Sequence, residues 1–157
     1  FKVTGNLCFS LYEYIDLRGM IDAVDSLEGN ISRNIVVTSD NYSTSIAGAF
    51  SIDVMVTNAK GDTSSIKLPL IVEDRPLSVP TIELSEYLIY IKKGEKVDFR
   101  SYIVDALDLN EISLKNSVTV ESNLVDINTP GTYNVHYYVT DANALRGHSV
   151  MTVIVGE

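Results

Sequence analysis

Two stretches of the chain alternate between apolar and polar residues. In the later stretch the apolar positions are Tyr133, Val135, Tyr137 and Val139, and the positions between them are Asn134, His136, Tyr138 and Thr140. In the earlier stretch the matching positions hold Phe50, Ile52, Val54 and Val56, and Gly48 before them matches Gly131. Alternation that is rich in β-branched and aromatic residues predicts a strand with one buried face. Both stretches are therefore predicted to be strands that line a core.

These two strands belong to a longer internal correspondence. Asp16 is matched by Asp98, which lies 82 positions later (98 − 16), whereas Asp25 is matched by Asp108, which lies 83 positions later (108 − 25). A separation that persists along the chain with a single shift indicates an internal duplication. One residue inserted between Ile103 and Asp105 of the second copy explains the shift.

The duplication predicts two domains, residues 1–75 and 76–157, with a linker at 74–80 that contains two of the four prolines. Because proline fixes the backbone angle φ and stiffens a connection, we expect a monomeric rod. Each half carries short strand signals separated by turn residues and no convincing helical period. That pattern predicts an antiparallel β-sandwich in each half.

Four short motifs extend this prediction. They are the opening Pro80-Thr81-Ile82, the loop Glu28-Gly29-Asn30-Ile31-Ser32, the turn Pro130-Gly131-Thr132-Tyr133 and the strand end Tyr137-Tyr138-Val139-Thr140-Asp141-Ala142. Together they resemble the bacterial immunoglobulin-like modules found in tandem on cell-surface and secreted proteins. The resemblance implies an all-β chain made of two tandem immunoglobulin-like antiparallel β-sandwich domains, located outside the cell. It does not imply an activity, because this fold hosts many unrelated functions.

Composition narrows the classes of partner. The 157 residues carry a net charge of −9, which disfavours nucleic acid and anionic membrane surfaces, because both are bound through clustered Lys and Arg. No apolar run approaches the ~20 residues of a membrane-spanning helix, so no membrane insertion is expected. Cys8 is the one cysteine, which excludes a disulfide within the chain.

Acidic loops recur in both halves and leave two interpretations open. The residues concerned are Asp22, Asp25, Glu28 and Asn30 in the first half, and Asp105, Asp108 and Glu111 in the second. Their oxygens could gather around Ca²⁺, a cation that takes about six to eight oxygen ligands. Alternatively, the Asp and Asn side chains accept hydrogen bonds from nearby backbone amides and shape turns. We favour turns and assign no metal ligand and no cofactor.

The sequence gives no support for catalysis. By alternation His136 is predicted to face solvent, and His148 opens the last strand; neither has another histidine or a cysteine at metal-ligand spacing, so zinc is not expected. No nucleophile motif such as Gly-x-Ser-x-Gly occurs. We therefore predict a chain that is not an enzyme and assign no catalytic residue.

Two tyrosines are candidates for binding. Tyr90 and Tyr138 occupy the polar phase of their strands, where exposed rings could stack on sugars or on a protein partner. Tyrosine is also common in strands without any binding role.

The predicted function is a stalk, spacer or adhesion segment of a bacterial cell-surface or secreted protein, with a protein or a glycan as the expected class of partner. The alternative is a carbohydrate-binding accessory module of an extracellular glycan-degrading enzyme.

Overall fold

A computed structural model describes the backbone of residues 1–157 and all side chains except those of Ser39 and Asp40. The chain divides into two compact units, Phe1–Arg75 and Pro76–Glu157. The regular elements assigned within the described residues are strands and short 3-10 helices, and none is an α-helix. The predicted all-β class is therefore confirmed.

The first unit contains eight strands and one 3-10 helix. The strands are β1 (Lys2–Val3), β2 (Cys8–Ser10), β3 (Ile21–Asp22), β4 (Val24–Asp25), β5 (Gly29–Asn30), β6 (Val36–Asp40), β7 (Gly48–Thr57) and β8 (Thr63–Glu73), and the 3-10 helix is Ser32–Asn34. The main sheet has the order β2-β8-β7-β6, while β1 pairs with β3 and β4 pairs with β5. Its inward residues Ile52, Val54, Leu68 and Leu70 have no exposed surface.

The second unit contains six strands and two 3-10 helices. The strands are β9 (Thr81–Leu84), β10 (Leu88–Lys92), β11 (Ile103–Leu107), β12 (Thr119–Glu121), β13 (Gly131–Thr140) and β14 (Arg146–Gly156), and the 3-10 helices are Phe99–Tyr102 and Lys115–Ser117. The strands form a four-stranded sheet of order β10-β14-β13-β12 and a two-stranded sheet of β9 and β11.

The core of the second unit lies between these two sheets. The small sheet contributes Ile82 and Ala106, and the large sheet contributes alternate residues of β13 and β14, including Val135, Tyr137 and Met151. The buried hydroxyl of Tyr137 donates a 2.7 Å hydrogen bond to the carbonyl oxygen of Phe99, so its polar end is satisfied. Two sheets that enclose one core form a β-sandwich.

The sequence predicted purely antiparallel sheets, and the structure corrects this prediction. β2 pairs with β8, and β10 pairs with β14, in parallel. Alternation of apolar residues reports which face of a strand is buried and carries no information about strand direction. Parallel neighbours also cannot be joined by a tight hairpin. Accordingly, β10 follows a strand of the small sheet and joins the large one beside the last strand of the unit.

Strand register is the same in the two main sheets once the numbering is shifted by 83. The pair Gly48–Val72 of the first unit corresponds to Gly131–Val155 of the second (131 − 48 = 83), and all ten pairs of each long hairpin follow this shift. The parallel edge also corresponds, because Ile71 shifts by 83 to Ile154, while its partner Cys8 shifts by 82 to Tyr90.

An arginine occupies the same place in both units. The Arg18 guanidinium donates a hydrogen bond of 2.9 Å to the carbonyl oxygen of Ile35. The Arg100 guanidinium donates in the same way to the carbonyl oxygen of Val118. Each acceptor immediately follows a 3-10 helix, Ser32–Asn34 or Lys115–Ser117. The arginines therefore tie the region before this helix to the residue after it, with a hydrogen bond from a charged donor.

The end of the predicted linker at 74–80 belongs to the second unit. Val79 is 9% exposed and Pro80 is buried. A Cβ added to Gly147 would overlap the carbonyl oxygen of Pro80 and lie 2.8 Å from its carbonyl carbon. Only glycine allows this approach of two backbones at this position. Pro80 is therefore packed against β14 and does not act as a free hinge.

Replacing Val135 with Asn tests the core of the second unit. Val135 has no exposed surface, so the change removes apolar burial and buries an amide. We expect the free energy of unfolding of this unit to fall by about 3 kcal/mol. Chemical denaturation measures the change, and Thr132→Asn on the exposed part of the same strand is the control. A loss for Val135→Asn as small as that of the control would contradict this packing.

Gly147→Ala tests the contact with Pro80. Because the overlapping atoms belong to the backbone, relief requires a shift of the chain, and we expect a loss of about 1–3 kcal/mol. Gly156→Ala is the matched control on the same strand, since its nearest neighbour would lie at an ordinary 3.7 Å. Thermal unfolding of both variants decides the matter, and equal melting temperatures would show that Pro80 does not lie against β14.

Candidate functional site

The first acidic loop is built as a turn around Asp25. Oδ2 of Asp25 accepts a hydrogen bond of 3.0 Å from Nδ2 of Asn58. Oδ1 accepts from the backbone amides of Leu27 and Glu28 at 2.8 and 3.0 Å. The hydrogen bond from Asn58, followed by the two amides, lowers the pKa of this carboxyl group. The carboxylate thus acts as an acceptor for local donors.

The second acidic loop uses Asp108 in the same manner. Its Oδ1 accepts from the amides of Asn110 and Ile112 at 2.9 Å each. Nearby, Oδ1 of Asp105 accepts from the hydroxyl of Ser113 at 2.7 Å, and this bond is the main cause of a lowered pKa. Both loops therefore have the hydrogen bonding that the turn interpretation predicts.

The two loops differ in where the chain turns. The left-handed residue is Gly29 (φ +78°) in the first unit and Glu111 (φ +63°) in the second. Glycine adopts this conformation without strain, whereas a glutamate does not. Because Ile112 stands where the first loop has Gly29, the left-handed residue of the second loop lies one position earlier, at Glu111. Among the described side chains, no group of three or more His, Cys, Asp or Glu is placed to hold a metal ion.

The structure corrects the prediction for the two histidines. His148 is 7% exposed, His136 is half-buried, and Nδ1 of His136 lies 2.8 Å from Nε2 of His148. The rings meet because β13 and β14 pair His136 with Val150 and Tyr138 with His148, which places the histidines diagonally on one face. The spacing of the two histidines along the sequence did not predict this contact. Pairing β13 with β14 around the turn at 141–145 would have predicted it, because the pairing fixes which residues lie opposite each other.

Tyr138 is held in a stack on the same face. Its ring lies 4.3 Å from that of His148, centroid to centroid, and the guanidinium carbon of Arg146 lies 4.5 Å from its centroid. Contacts of this kind add about 0.5–1.5 kcal/mol for a ring pair and somewhat less for an exposed cation–π pair. Tyr138 is therefore not the free stacking platform that the sequence suggested, and the contribution of Arg146 was not foreseen.

Tyr90 presents more of its ring. It lies on β10 and is 54% exposed, and partial burial raises the pKa of its hydroxyl.

The outward face of the main sheet in the first unit carries charged side chains in place of the aromatic rings. There an ion pair of 3.1 Å joins Asp53 to Lys67, at the positions that His136 and Val150 hold in the second unit. An exposed ion pair of this kind contributes little to stability.

Comparison with known families identifies the second unit. The sequence model of the family described as "Bacterial surface protein, Ig-like domain" matches residues 85–155. This segment is a bacterial surface Ig-like domain. The match spans β10 to β14, including the long hairpin, and it confirms for this unit the resemblance predicted from the sequence. The family description also agrees with the expected location at a bacterial surface.

Two curated proteins are similar to most of the chain. An uncharacterized 81.3 kDa protein of Acholeplasma phage L2 is 26% identical over 138 residues, or 86% of this chain and 18% of that protein. The pesticidal crystal protein Cry22Aa of Bacillus thuringiensis is 32% identical over 136 residues, or 83% of this chain and 17% of that protein. The chain thus spans less than a fifth of the length of each of these relatives.

Solved structures with a similar arrangement include two from Clostridium perfringens ZmpB. One holds its CBM51-2 and INT domains, and it is 19% identical over 96% of this chain and 25% of that chain, with a TM-score of 0.42. The other holds CBM51-2 in complex with GlcNAc and INT domains, and it is 29% identical over 43% of this chain and 15% of that chain, with a TM-score of 0.41. TM-scores this low do not establish a common function.

Over the described residues, no helix has the length and apolar character needed to cross a bilayer.

A melt with and without calcium tests the interpretation of the acidic loops. We expect identical melting temperatures in millimolar Ca²⁺ and in a chelator, because the carboxylates already accept hydrogen bonds from their own turns. A calcium site filled to about 100 times its dissociation constant would instead add about 2.7 kcal/mol. A shift that disappears in Asp25→Ala or Asp108→Ala would contradict the turn interpretation.

Proposed function

We propose that this chain is a non-catalytic tandem Ig-like segment of a bacterial cell-surface or secreted protein, acting as a spacer or adhesion module. The observation that carries the proposal is the shared strand register. Every pair of the β7–β8 hairpin has its counterpart in the β13–β14 hairpin of the Ig-like domain, 83 positions later. On this basis Phe1–Arg75 is a second copy of the domain that the family match identifies in the other unit.

Details outside the hairpins support the same conclusion. The turn after β7 is closed by Asn58, whose Oδ1 accepts from the amides of Lys60 and Asp62. The turn after β13 is closed by Asp141, whose Oδ1 accepts from the amides of Asn143 and Leu145. Asparagine in the first unit and aspartate in the second thus supply the same acceptor at equivalent positions.

Repetition of one domain favours a mechanical role. Each unit encloses apolar side chains of its own, so one unit does not need a ligand to form a core. A chain of such units separates the parts of a protein that it connects, and its acidic surface favours solubility. In this role the segment presents a distal domain to its surroundings, or offers a surface to a protein partner at the cell envelope.

Carbohydrate binding is the alternative, and the exposed ring of Tyr90 is the feature that favours it. An aromatic face on a sheet can stack on a sugar ring. Tyr138, the other candidate, already has Arg146 and His148 against its ring. The alternative therefore depends on Tyr90.

Affinity electrophoresis of the purified chain in polysaccharide gels distinguishes the two functions. As a spacer or protein-binding module, the chain should migrate equally in gels with and without polysaccharide. Retardation that Tyr90→Ala abolishes would overturn the spacer proposal in favour of the accessory module. Tyr14→Ala is the matched control, because Tyr14 is 85% exposed but lies in the other unit, and its loss should leave migration unchanged.

A further inference from the structure

Two turns, one after β2 and one after β10, are held by the same hydrogen bonds. We call them the Tyr12 turn (residues 10–14) and the Gly94 turn (residues 92–96), and their positions differ by 82. The matching bonds run from the amides of Tyr12 and Gly94 to the carbonyl oxygens of Thr44 and Ile127, at 2.8 and 2.7 Å, and from the amides of Ser10 and Lys92 to Oε1 of Glu13 and Glu95, at 3.1 Å each. The two units therefore build this turn on one backbone frame.

Tyr12 adopts a backbone conformation that suits its counterpart better. The φ angle is +63° at Tyr12 and +82° at Gly94. Glycine reaches this left-handed region without strain, whereas a bulky side chain is an outlier there. Strained residues of this kind cluster at binding and active sites. The tyrosine weakens the turn that carries it, which points to a role for its ring outside the fold.

The Tyr12 turn holds two aromatic rings in solvent. Tyr12 is 76% exposed and Tyr14 is 85% exposed, while Glu13 between them is half-buried and bonded to Ser10. The loop that accepts the Tyr12 amide also exposes an aliphatic side chain, that of Ile46. Rings that pack against nothing in their own unit contribute little to its core and remain available to a partner.

The two turns also differ in the sign of their charge. Residues 10–18 hold two acidic residues and one basic residue, a net charge of −1, whereas residues 92–100 hold two acidic and four basic residues, a net charge of +2. Tyr14 itself stands where the second unit has Lys96. Opposite charge across an interface favours the correct partner, and like charge repels it. A cationic partner is therefore favoured at the Tyr12 turn and disfavoured at the Gly94 turn, whereas a neutral glycan would gain nothing from this difference.

We propose that the Tyr12 turn is an adhesion surface and that its partner is an arginine-rich segment of another protein. A guanidinium group stacks on a tyrosine ring and also pairs with carboxylates, such as that of the exposed Asp16. The second unit makes the same type of stack within itself, where the guanidinium carbon of Arg146 lies 4.5 Å from the ring centroid of Tyr138. The inference rests on the proposed function, because it gives the adhesion role a surface and a class of partner.

Titration of the full chain with a hexa-arginine peptide, followed by amide NMR signals, tests the proposal. At about 0.15 M salt, which screens general attraction between exposed charges, we expect signals of residues 11–16 to move and those of 92–96 to stay in place. Tyr12→Gly, which copies the second unit, should weaken binding by about threefold, and adding Tyr14→Lys should bring the loss to about tenfold, because each exposed ring contributes a few-fold. Tyr12→Gly relieves the strained φ, so it should not lower the melting temperature.

Tyr90→Ala is the matched control, since Tyr90 is also exposed but lies in the other unit, and its loss should leave the affinity for hexa-arginine unchanged. Equal affinity of the unmodified chain and the double variant, or no binding by either, would overturn this inference and leave the spacer role of the proposed function intact. Retardation in a polysaccharide gel that Tyr12→Gly abolishes would overturn it in favour of a glycan at this turn. The proposed function fails by a different result, retardation that depends on Tyr90.

Discussion

The long hairpin of β13 and β14 is the constraint on which the second unit depends. Its ten register pairs place one face of both strands against the small sheet, and Val135, Tyr137, Met151 and Val153 on that face have no exposed surface. Full burial of each such side chain contributes about 1.5–3 kcal/mol. A slip of one residue would turn this whole set toward solvent. The parallel edge strand β10 and the Pro80 contact both lie against β14 of this hairpin.

Alternation in the sequence was sufficient to locate the hairpin strands and their buried faces, because the side-chain period of a strand is two. Tyr133, Val135, Tyr137 and Val139 were predicted to face the core, and the last three are buried while Tyr133 packs against the core from a half-buried position. The internal separation of 83 predicted corresponding positions, and the register of the two main sheets follows it. These predictions succeed because they depend on local pattern and on constant spacing.

Other features depend on contacts between distant parts of the chain, and local pattern could not supply them. The parallel pairing of β10 with β14 joins opposite ends of the second unit. The contact between His136 and His148 requires the hairpin register as well as the side-chain phase. The fit of Pro80 against Gly147 depends on the absence of one Cβ. The sequence favoured turns over calcium ligands in the acidic loops, but the donors that reach each carboxylate, such as Asn58 at Asp25, come from the folded chain.

The central claim is that the first unit is a second copy of the Ig-like domain with its own core and the same register. Nuclear Overhauser contacts in an isolated fragment of residues 1–75 would test it most directly. The account predicts dispersed amide signals and cross-strand contacts between Ile52 and Leu68 and between Val54 and Ile66, the equivalents of Val135–Met151 and Tyr137–Ser149. A collapsed spectrum, or cross-strand contacts displaced by one residue, would contradict it.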